Sequence, residues 1–189
     1  METDDKKTKK NNLGIFGGSC VGKNMETINN IKNIGKNINT NKFKILFGGG
    51  NDGIMAMIPK IFSERGGEVK GVNWTQFTKY GRQKFGSEVL HDTFRDRQYY
   101  LLSESDIFLC LPGGLGTLSE LFDVLMNNSS KFWPDKNTKK TIIVYNHNKF
   151  FEPIKKMIEI QEDNEFIHNP DNLSVVFLED YNDIINLLK

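Results

Sequence analysis

Short runs of apolar residues recur along the chain, and each is too short to form a helix. They are rich in Ile, Val, Leu and Phe and contain few polar residues, which is typical of strands buried on both faces of a sheet. The runs are Leu13–Phe16, Lys44–Phe47, Glu68–Val72, Asp106–Leu111, Thr141–Tyr145 and Val175–Leu178. The pattern therefore predicts six strands.

Between these runs, apolar residues return about every 3.6 residues, the period of an amphipathic helix. The helices predicted in this way are Met25–Ile38, Gly53–Glu64, Thr93–Glu104, Thr117–Met126, Phe150–Gln161 and Tyr181–Leu188. Strands that alternate with helices form βαβ units. We therefore predict an α/β fold of the Rossmann-like, doubly wound type, with a mostly parallel sheet and helices on both faces.

Two stretches, Trp74–His91 and Asn127–Lys140, fit neither period and are predicted to be loops. Within the first stretch, Glu88–His91 is a candidate for one additional strand. The chain shows no internal repeat and no long linker, and its length of 189 residues suits one domain. We expect a disordered polar tail over residues 1–12 and a single domain over residues 13–189.

Charge, cysteines and histidines narrow the classes of partner and cofactor. The net charge is +1, which gives no support for nucleic acid or a membrane as partner. The two cysteines and three histidines show no spacing typical of zinc or haem. We expect Cys20 and Cys110 to be reduced and near the core, and the protein to be cytoplasmic, with no metal and no cofactor.

Three predicted strands end in glycines that lead into helices, at Gly17-Gly18, at Gly48-Gly49-Gly50 and, after Pro112, at Gly113-Gly114. Ligands of open α/β sheets bind beyond the carboxyl ends of the strands. Glycine lets a ligand approach the backbone, and the N-terminus of the next helix attracts anions. The sequence predicts one shared phosphate-binding crevice, although any single loop could also be only a tight turn.

The first of these loops supports an alternative hypothesis. Gly17–Asn24 nearly matches the phosphate-binding loop of nucleoside triphosphatases, between a strand and a helix as that motif requires. However, Asn24 replaces the Ser or Thr whose hydroxyl would bind Mg²⁺. No later strand ends in an evident metal-holding Asp, so the match is incomplete.

The third loop, Pro112–Glu120, contains the first candidate catalytic residue. Thr117 and Glu120 have the spacing of a capping box, so Glu120 could simply cap its own helix. The preceding glycines favour a different interpretation, because they would bring a ligand next to the first helical turn.

Arg97 is the second candidate, because it shares a predicted helix face with Phe94 and Leu101. A charge on an apolar face is costly unless it is paired or used. A structural ion pair and a functional role both remain open at this point.

Taken together, these motifs resemble those of the LONELY GUY family, the cytokinin riboside 5′-monophosphate phosphoribohydrolases, which are often labelled lysine-decarboxylase-like. Gly18–Gly22, Gly48–Met55, Arg97 and Pro112–Glu120 occur in that family's order and with similar spacing. The resemblance covers about residues 13–188. It implies a Rossmann-like homodimer without metal or cofactor that hydrolyses a nucleoside 5′-monophosphate, either cytokinin riboside 5′-monophosphate or AMP, to free base and ribose 5-phosphate.

The resemblance also implies roles for individual residues. Arg97 and Glu120 would be catalytic, since a carboxylate can stabilise an oxocarbenium-like ribose or take a proton from water. Arg97 could hold that carboxylate, the phosphate or the departing base. The residues that would bind the substrate and its phosphate are Gly18, Ser19, Gly48, Gly49, Gly50, Gln98, Pro112, Gly113, Gly114, Leu115, Gly116 and Thr117. Apolar helix positions such as Phe122 and Val124 would permit the dimer.

Three departures from the family's pattern bear on the substrate. The family's lysine beside the catalytic arginine is Gln98, its Ile-Pro-Lys after the third strand is Asn73-Trp74-Thr75, and its later Thr-Trp pair is Met126-Asn127. These changes fall where the base would lie, so AMP is a candidate beside a prenylated nucleotide.

A non-catalytic nucleotide-binding module on the same fold is the main alternative, because fold alone does not give function. No lysine stands out as a Schiff base, which argues against a decarboxylase.

Overall fold

The computed structural model describes residues 9–80, 82–129 and 139–189, without the side chains of 78–80. Its strands are β1 (Asn11–Phe16), β2 (Phe43–Phe47), β3 (Val69–Trp74), β4 (Ser87–His91), β5 (Ile107–Cys110), β6 (Thr141–Tyr145) and β7 (Val175–Leu178). They form one sheet in the order β4-β3-β2-β1-β5-β6-β7. Every neighbouring pair is parallel, so the predicted fold class is confirmed.

Six α-helices of the described residues cover the sheet. They are α1 (Met25–Asn37), α2 (Gly53–Glu64), α3 (Phe94–Glu104), α4 (Leu115–Ser129), α5 (Glu152–Asp163) and α6 (Tyr181–Leu188). Helices α1, α2 and α6 pack on one face, around a core that includes Ile31, Ile58 and Ile184. Helices α4 and α5 pack on the other face, around Leu121 and Ile158, and α3 lies beside α4. None of these helices is long and apolar enough to cross a membrane.

Strand β1 lies at the switch point of the sheet, where the direction of the connections reverses and a crevice opens. It pairs with β2 on one side and with β5 on the other. The chain leaves β1 towards α1 on one face and leaves β5 towards α4 on the opposite face. The two loops therefore diverge at the carboxyl ends of neighbouring strands, the geometry that opens a ligand crevice in a doubly wound sheet.

The ends of several elements differ from the prediction. Strand β1 begins at Asn11, where the backbone pairs with Phe43, so residues 11 and 12 belong to the sheet and not to a tail. Residues 1–8 of the predicted tail and residues 130–138 of the predicted loop lie outside the described residues. The candidate strand at the end of the first unassigned stretch is confirmed as β4.

Helix α4 is longer than predicted at both ends. It begins at Leu115 and continues to Ser129, so residues 127–129 are helical although their polarity suggests a loop. Asn128 explains this, because its side-chain amide donates to the carbonyls of Lys140 and Leu173, each at 2.7 Å. Val124, predicted to face a partner, is buried in the core, whereas Phe122 is exposed.

Candidate functional site

The three glycine loops lie together at the carboxyl end of the sheet. The amide of Gly18 donates to the carbonyl of Pro112 at 3.1 Å, which joins the first loop to the third. The amide of Met55 donates to the carbonyl of Gly18 at 3.1 Å, which joins the second loop's helix to the first. The structure thus brings together the loops that the sequence predicts to share a crevice.

Two glycines are required for this close approach. Gly53 has a φ of +73°, and a Cβ there would collide with the carbonyl group of Ser19. A Cβ at Gly113 would collide with the Thr117 hydroxyl and the Gly18 amide. At these two positions, tight packing of the loops alone explains the glycine.

Gly114 and Gly116 lie in a different environment, because a Cβ at either would meet no atom within 4 Å. Both residues are exposed, at the start of α4. The carbonyl of Gly114 accepts the first bond of the helix, from the amide of Leu118. The preceding amides have no partner within the helix, and a backbone without side chains leaves them open to an anion.

The Arg97 side chain, which extends from α3, is held by two backbone carbonyls, one within β3 and one just after β2. Its residue surface is 8% exposed. Nε donates to the carbonyl of Val72 at 3.0 Å, and Nη2 donates to that of Gly48 at 3.4 Å. The guanidinium carbon lies 5.6 Å from the centre of the Phe94 ring. As predicted, Arg97 shares a buried face with Leu101, whereas Phe94 is exposed.

Glu120 extends from α4 towards Arg97. Its Oε1 lies 3.6 Å from Nη1 of Arg97, and its side chain is 14% exposed. Because α4 begins at Leu115, Thr117 lies inside the helix, and the capping-box interpretation of Glu120 is wrong. The structure therefore brings together the two residues that the sequence singles out as catalytic.

Burial dominates the electrostatics of this pair. It raises the pKa of Glu120 from 4.5 to about 7, although the Arg97 charge opposes the shift. It also lowers the pKa of the Arg97 guanidinium, which the charge of Glu120 opposes. A carboxyl group with a pKa near neutrality can change protonation at physiological pH, as an acid or base in catalysis requires.

The other predicted binding residues are divided between the crevice surface and the packing beneath it. Ser19 and Leu115 are exposed, whereas Pro112 and Thr117 are buried. The carbonyl of Gly49 is already bonded to the Gln83 amide and to the Asn73 side chain. The Gln98 side chain donates to Asp123 Oδ2 at 3.2 Å. Direct contact of these residues with a substrate remains a prediction.

Sequence reasoning missed several residues that shape the site. Asn73 is buried and donates both to the carbonyl of Gly49 and to Glu88 Oε1, while Glu88 is also paired with Arg82. Asp123 lies three residues after Glu120, a helical spacing that could have identified it as a neighbour. The sequence pattern around Asn73 did not indicate its contact with the second glycine loop.

An aromatic cluster borders the site beside Arg97. Trp74 makes edge-to-face contacts with Phe77 and with Phe94, at centroid distances of 5.4 and 5.8 Å. Phe77 and Phe94 are both exposed. We refer to Trp74, Phe77 and Phe94 as the aromatic cluster. Trp74 and Phe77 lie in the stretch predicted to be a loop, where the structure has the end of β3 and a 3₁₀ helix over Thr75–Tyr80, and Phe94 begins α3.

The cysteines and acidic residues do not form a metal-binding group in the part of the chain that the structure describes, which contains no cluster of three or more His, Cys, Asp or Glu side chains suited to a metal. Both cysteines are free. Cys110 is buried as predicted, whereas Cys20 is exposed on the first loop.

Comparison with known proteins identifies relatives. The model of the family described as possible lysine decarboxylase matches residues 55–188. LOG5 of Arabidopsis thaliana, a cytokinin riboside 5′-monophosphate phosphoribohydrolase, is 26% identical over 63% of this chain, which spans 53% of that protein. The Rhodococcoides fascians enzyme of the same name is 27% identical over 77% of this chain and 72% of its own length.

Solved structures share the fold across nearly the whole chain. The molybdenum cofactor carrier protein of Chlamydomonas reinhardtii superposes with a TM-score of 0.66, at 17% identity over 95% of this chain and 96% of that protein. The molybdenum cofactor binding protein of Rippkaea orientalis gives a TM-score of 0.64 at 17% identity, with coverage of 95% and 96%. At such identities these matches concern the fold alone.

The family model covers most of the chain, and the curated relatives are phosphoribohydrolases, in agreement with the resemblance found in the sequence. The chain belongs to the family described as possible lysine decarboxylases, that of the LONELY GUY proteins.

Proposed function

We propose that this protein hydrolyses the N-glycosidic bond of a nucleoside 5′-monophosphate and releases free base and ribose 5-phosphate. The observation that carries the proposal is the buried pair of Glu120 and Arg97 beside the open start of α4. The names of the curated relatives support the same reaction. Both cytokinin riboside 5′-monophosphate and AMP are candidate substrates.

The phosphate would bind at the N-terminus of α4. Gly114 and Gly116 expose the backbone there, and the helix dipole favours an anion. Glu120 lies on the second turn of the same helix. A phosphate on the first turn would therefore place the ribose of the same nucleotide next to this carboxylate.

Glu120 in its ionised form would act on the ribose. Cleavage of the C1′–N bond sends its electron pair to the base and leaves positive charge on the ribose, which the carboxylate stabilises. Water then forms the new O–C1′ bond and gives a proton to Glu120. Transfer of that proton to the departing base or to solvent returns Glu120 to its starting form.

Arg97 is best suited to hold Glu120 in place. Two of its three guanidinium nitrogens donate to the carbonyls of Val72 and Gly48, and the third faces the carboxylate. These contacts leave Arg97 little freedom to follow a phosphate or a departing base. Its charge also opposes the effect of burial, so that Glu120 can ionise near neutrality.

The aromatic cluster offers a surface for the base. The exposed ring of Phe94 lies beside Arg97, and Trp74 contacts both this ring and the exposed ring of Phe77. Aromatic rings stack on nucleobases without strong selection among them. This arrangement fits an adenine base and does not by itself distinguish adenine from its prenylated form.

A non-catalytic carrier of a phosphate-bearing ligand is the second candidate. The observation that favours it is the similarity of the fold to a molybdenum cofactor binding protein and a molybdenum cofactor carrier protein. The glycine loops would serve such a ligand equally well. The carrier hypothesis gives no reason for a buried carboxylate beside Arg97.

A homodimer is also proposed, with α4 as its contact. Leu115 is 85% exposed and Met126 is 61% exposed, and the exposed Phe122 lies between them on the helix. Their spacing places them along one side of α4. This apolar stripe of Leu115, Phe122 and Met126 is a suitable surface for a second copy.

Base release tests the function directly. Chelator-treated protein is incubated with AMP, with N6-isopentenyl-AMP and with adenosine, and free base is followed by chromatography. We expect release from at least one nucleotide and much slower release from adenosine, which lacks the phosphate. Folded protein that releases no base, but binds a phosphate-bearing ligand stoichiometrically, would instead support the carrier.

A further inference from the structure

Helices α3 and α4 bring a second polar pair next to the Arg97–Glu120 pair. Gln98 follows Arg97 on α3, and Asp123 lies one turn after Glu120 on α4. The Gln98 Nε2 donates to Asp123 Oδ2 at 3.2 Å. Residues 97, 98, 120 and 123 thus form a single polar cluster between the two helices.

The two carboxylates of this cluster face a common small cavity. Its volume is about 10 Å³, and its lining combines Glu120, Asp123 and Gln98 with the apolar side chains of Phe16, Leu101 and Val124. A cavity of this size holds one water at most. Both acidic residues line this cavity, and the charge of Asp123 acts on Glu120.

Glu120 has one positively charged neighbour, one acidic neighbour and one neutral thiol around it. Among the described residues, the titratable groups that face it are Arg97 from α3, Asp123 from α4 and Cys110 from β5. Burial raises the pKa of the Cys110 thiol, which therefore stays neutral. Gln98 holds Asp123 through a neutral amide, so it orients that carboxylate without cancelling its charge.

The consequence for Glu120 follows from the sign of each charge. Burial is the largest cause that raises its pKa to about 7, Arg97 opposes the rise, and Asp123 adds to it. Without Asp123, the attraction of Arg97 would meet less opposition, and Glu120 would hold its proton less tightly.

We propose that Asp123, oriented by Gln98, is a positioning residue that controls the proton on Glu120 during hydrolysis. This inference rests on the proposed function. Asp123 makes the Glu120 carboxylate basic enough to receive the proton of the attacking water, while Arg97 keeps it ionised often enough to act.

The first test is the pH profile of kcat/KM for AMP or N6-isopentenyl-AMP, whichever the wild type hydrolyses. Asp123→Asn removes the charge and keeps the side-chain shape, so we expect the acidic limb to move about half a unit to one unit towards lower pH. Gln98→Lys should move it in the same direction, because an ammonium would neutralise Asp123 in place. Glu104→Gln is the matched control, since Glu104 is exposed at the far end of α3. It should leave the limb where it is.

The second test needs no turnover. The folded chain binds the Glu120 proton more tightly than the unfolded chain, so the wild type loses stability relative to Glu120→Gln as the pH rises from 4.5 to about 7. Urea unfolding across this range gives that difference. We expect the loss to occur at lower pH when both proteins also carry Asp123→Asn.

The outcomes separate the two proposals. If base release depends on Glu120 but neither readout moves in Asp123→Asn or Gln98→Lys, the role of Asp123 is overturned and the proposed function stands. If the stability readout moves but no nucleotide is hydrolysed, Asp123 controls the proton and the proposed function fails.

Discussion

Glu120 is a carboxylate in surroundings that favour its neutral form. Its pKa is raised from 4.5 to about 7, chiefly by burial, and the proposed reaction uses its ionised form. The ionised fraction therefore grows as the pH rises through 7. We expect kcat/KM to fall about tenfold for each pH unit below this value and to level off above it. Steady-state assays between pH 5.5 and 8.5 check this, and a flat profile would contradict it.

Phe94, whose ring lies beside the Arg97 guanidinium, is the residue at which binding of the base can be tested. Phe94→Ala removes an exposed ring of the aromatic cluster. If the base stacks there, KM for the nucleotide should rise about tenfold with little change in kcat. Inhibition by ribose 5-phosphate, which has no base, should not change.

Phe166→Ala is the control for this substitution, because Phe166 is an exposed ring on the loop after α5. Equal effects of the two substitutions, or a Phe94→Ala protein whose affinity for ribose 5-phosphate drops as well, would show that the aromatic cluster does not receive the base.

At the scale of single residues, the sequence identified the catalytic candidates and missed their supporting contacts. Arg97 stood out because a charge on an apolar helix face requires an explanation. Its two carbonyl partners, Val72 in β3 and Gly48 just after β2, are distant in sequence, so no local pattern could reveal them. The buried Asn73 was hidden for the same reason, since its contacts arise only when β3 and the second glycine loop are assembled.

Helix α4 combines two kinds of glycine within its first turn and the loop before it. Gly113 is enclosed, whereas Gly116 faces open space. Gly113→Ala should destabilise the protein by about 1–3 kcal/mol, because its methyl group would overlap Thr117 and Gly18. Gly116→Ala should raise stability slightly, as Ala favours helix over Gly, yet weaken nucleotide binding if the phosphate lies there.

Thermal unfolding and KM for the nucleotide, measured on both variants, distinguish these effects. A Gly116→Ala protein that is as stable as the wild type and has an unchanged KM would show that the phosphate binds elsewhere.

At the scale of elements, the predictions were most accurate where the hydrophobic pattern was strongest. The buried strands and amphipathic helices were correct because a sheet covered on both faces requires continuous apolar runs. The start of α4 was missed, since Gly114, Leu115 and Gly116 resemble a loop and Thr117 resembles a cap. Its end was missed because Asn128 is polar, which suggested a loop. In the structure, the Asn128 side chain donates hydrogen bonds to the carbonyls of two other segments.

The assembly of the whole molecule depends on the apolar stripe of α4. Met126→Glu would place a charge at one end of the apolar stripe that forms the proposed dimer contact, and we expect the protein to become monomeric. Met157→Glu is the control, because Met157 is similarly exposed on α5. Sedimentation velocity checks both variants. A wild type that is already monomeric at high concentration, or a Met126→Glu dimer, would refute the contact.

Across the whole molecule, sequence and structure agree on the fold and on the position of the crevice. Recognition of the base and formation of a dimer depend on exposed surfaces, which sequence patterns describe poorly. The order of the strands, β4-β3-β2-β1-β5-β6-β7, was not predicted from the sequence and comes from the structure. Of the aromatic cluster, Trp74 ends β3 and Phe94 begins α3, while Phe77 lies in the connection between β3 and β4 that the sequence left unassigned.

The central claim is that Glu120 performs the hydrolysis of a nucleoside 5′-monophosphate. The most direct measurement is kcat/KM for base release by the wild type, by Glu120→Gln and by the control Glu104→Gln, with each protein shown to be folded. We predict a loss of about 10²-fold to 10⁴-fold in Glu120→Gln and wild-type turnover in Glu104→Gln. A folded Glu120→Gln protein that releases base at the wild-type rate would contradict the account.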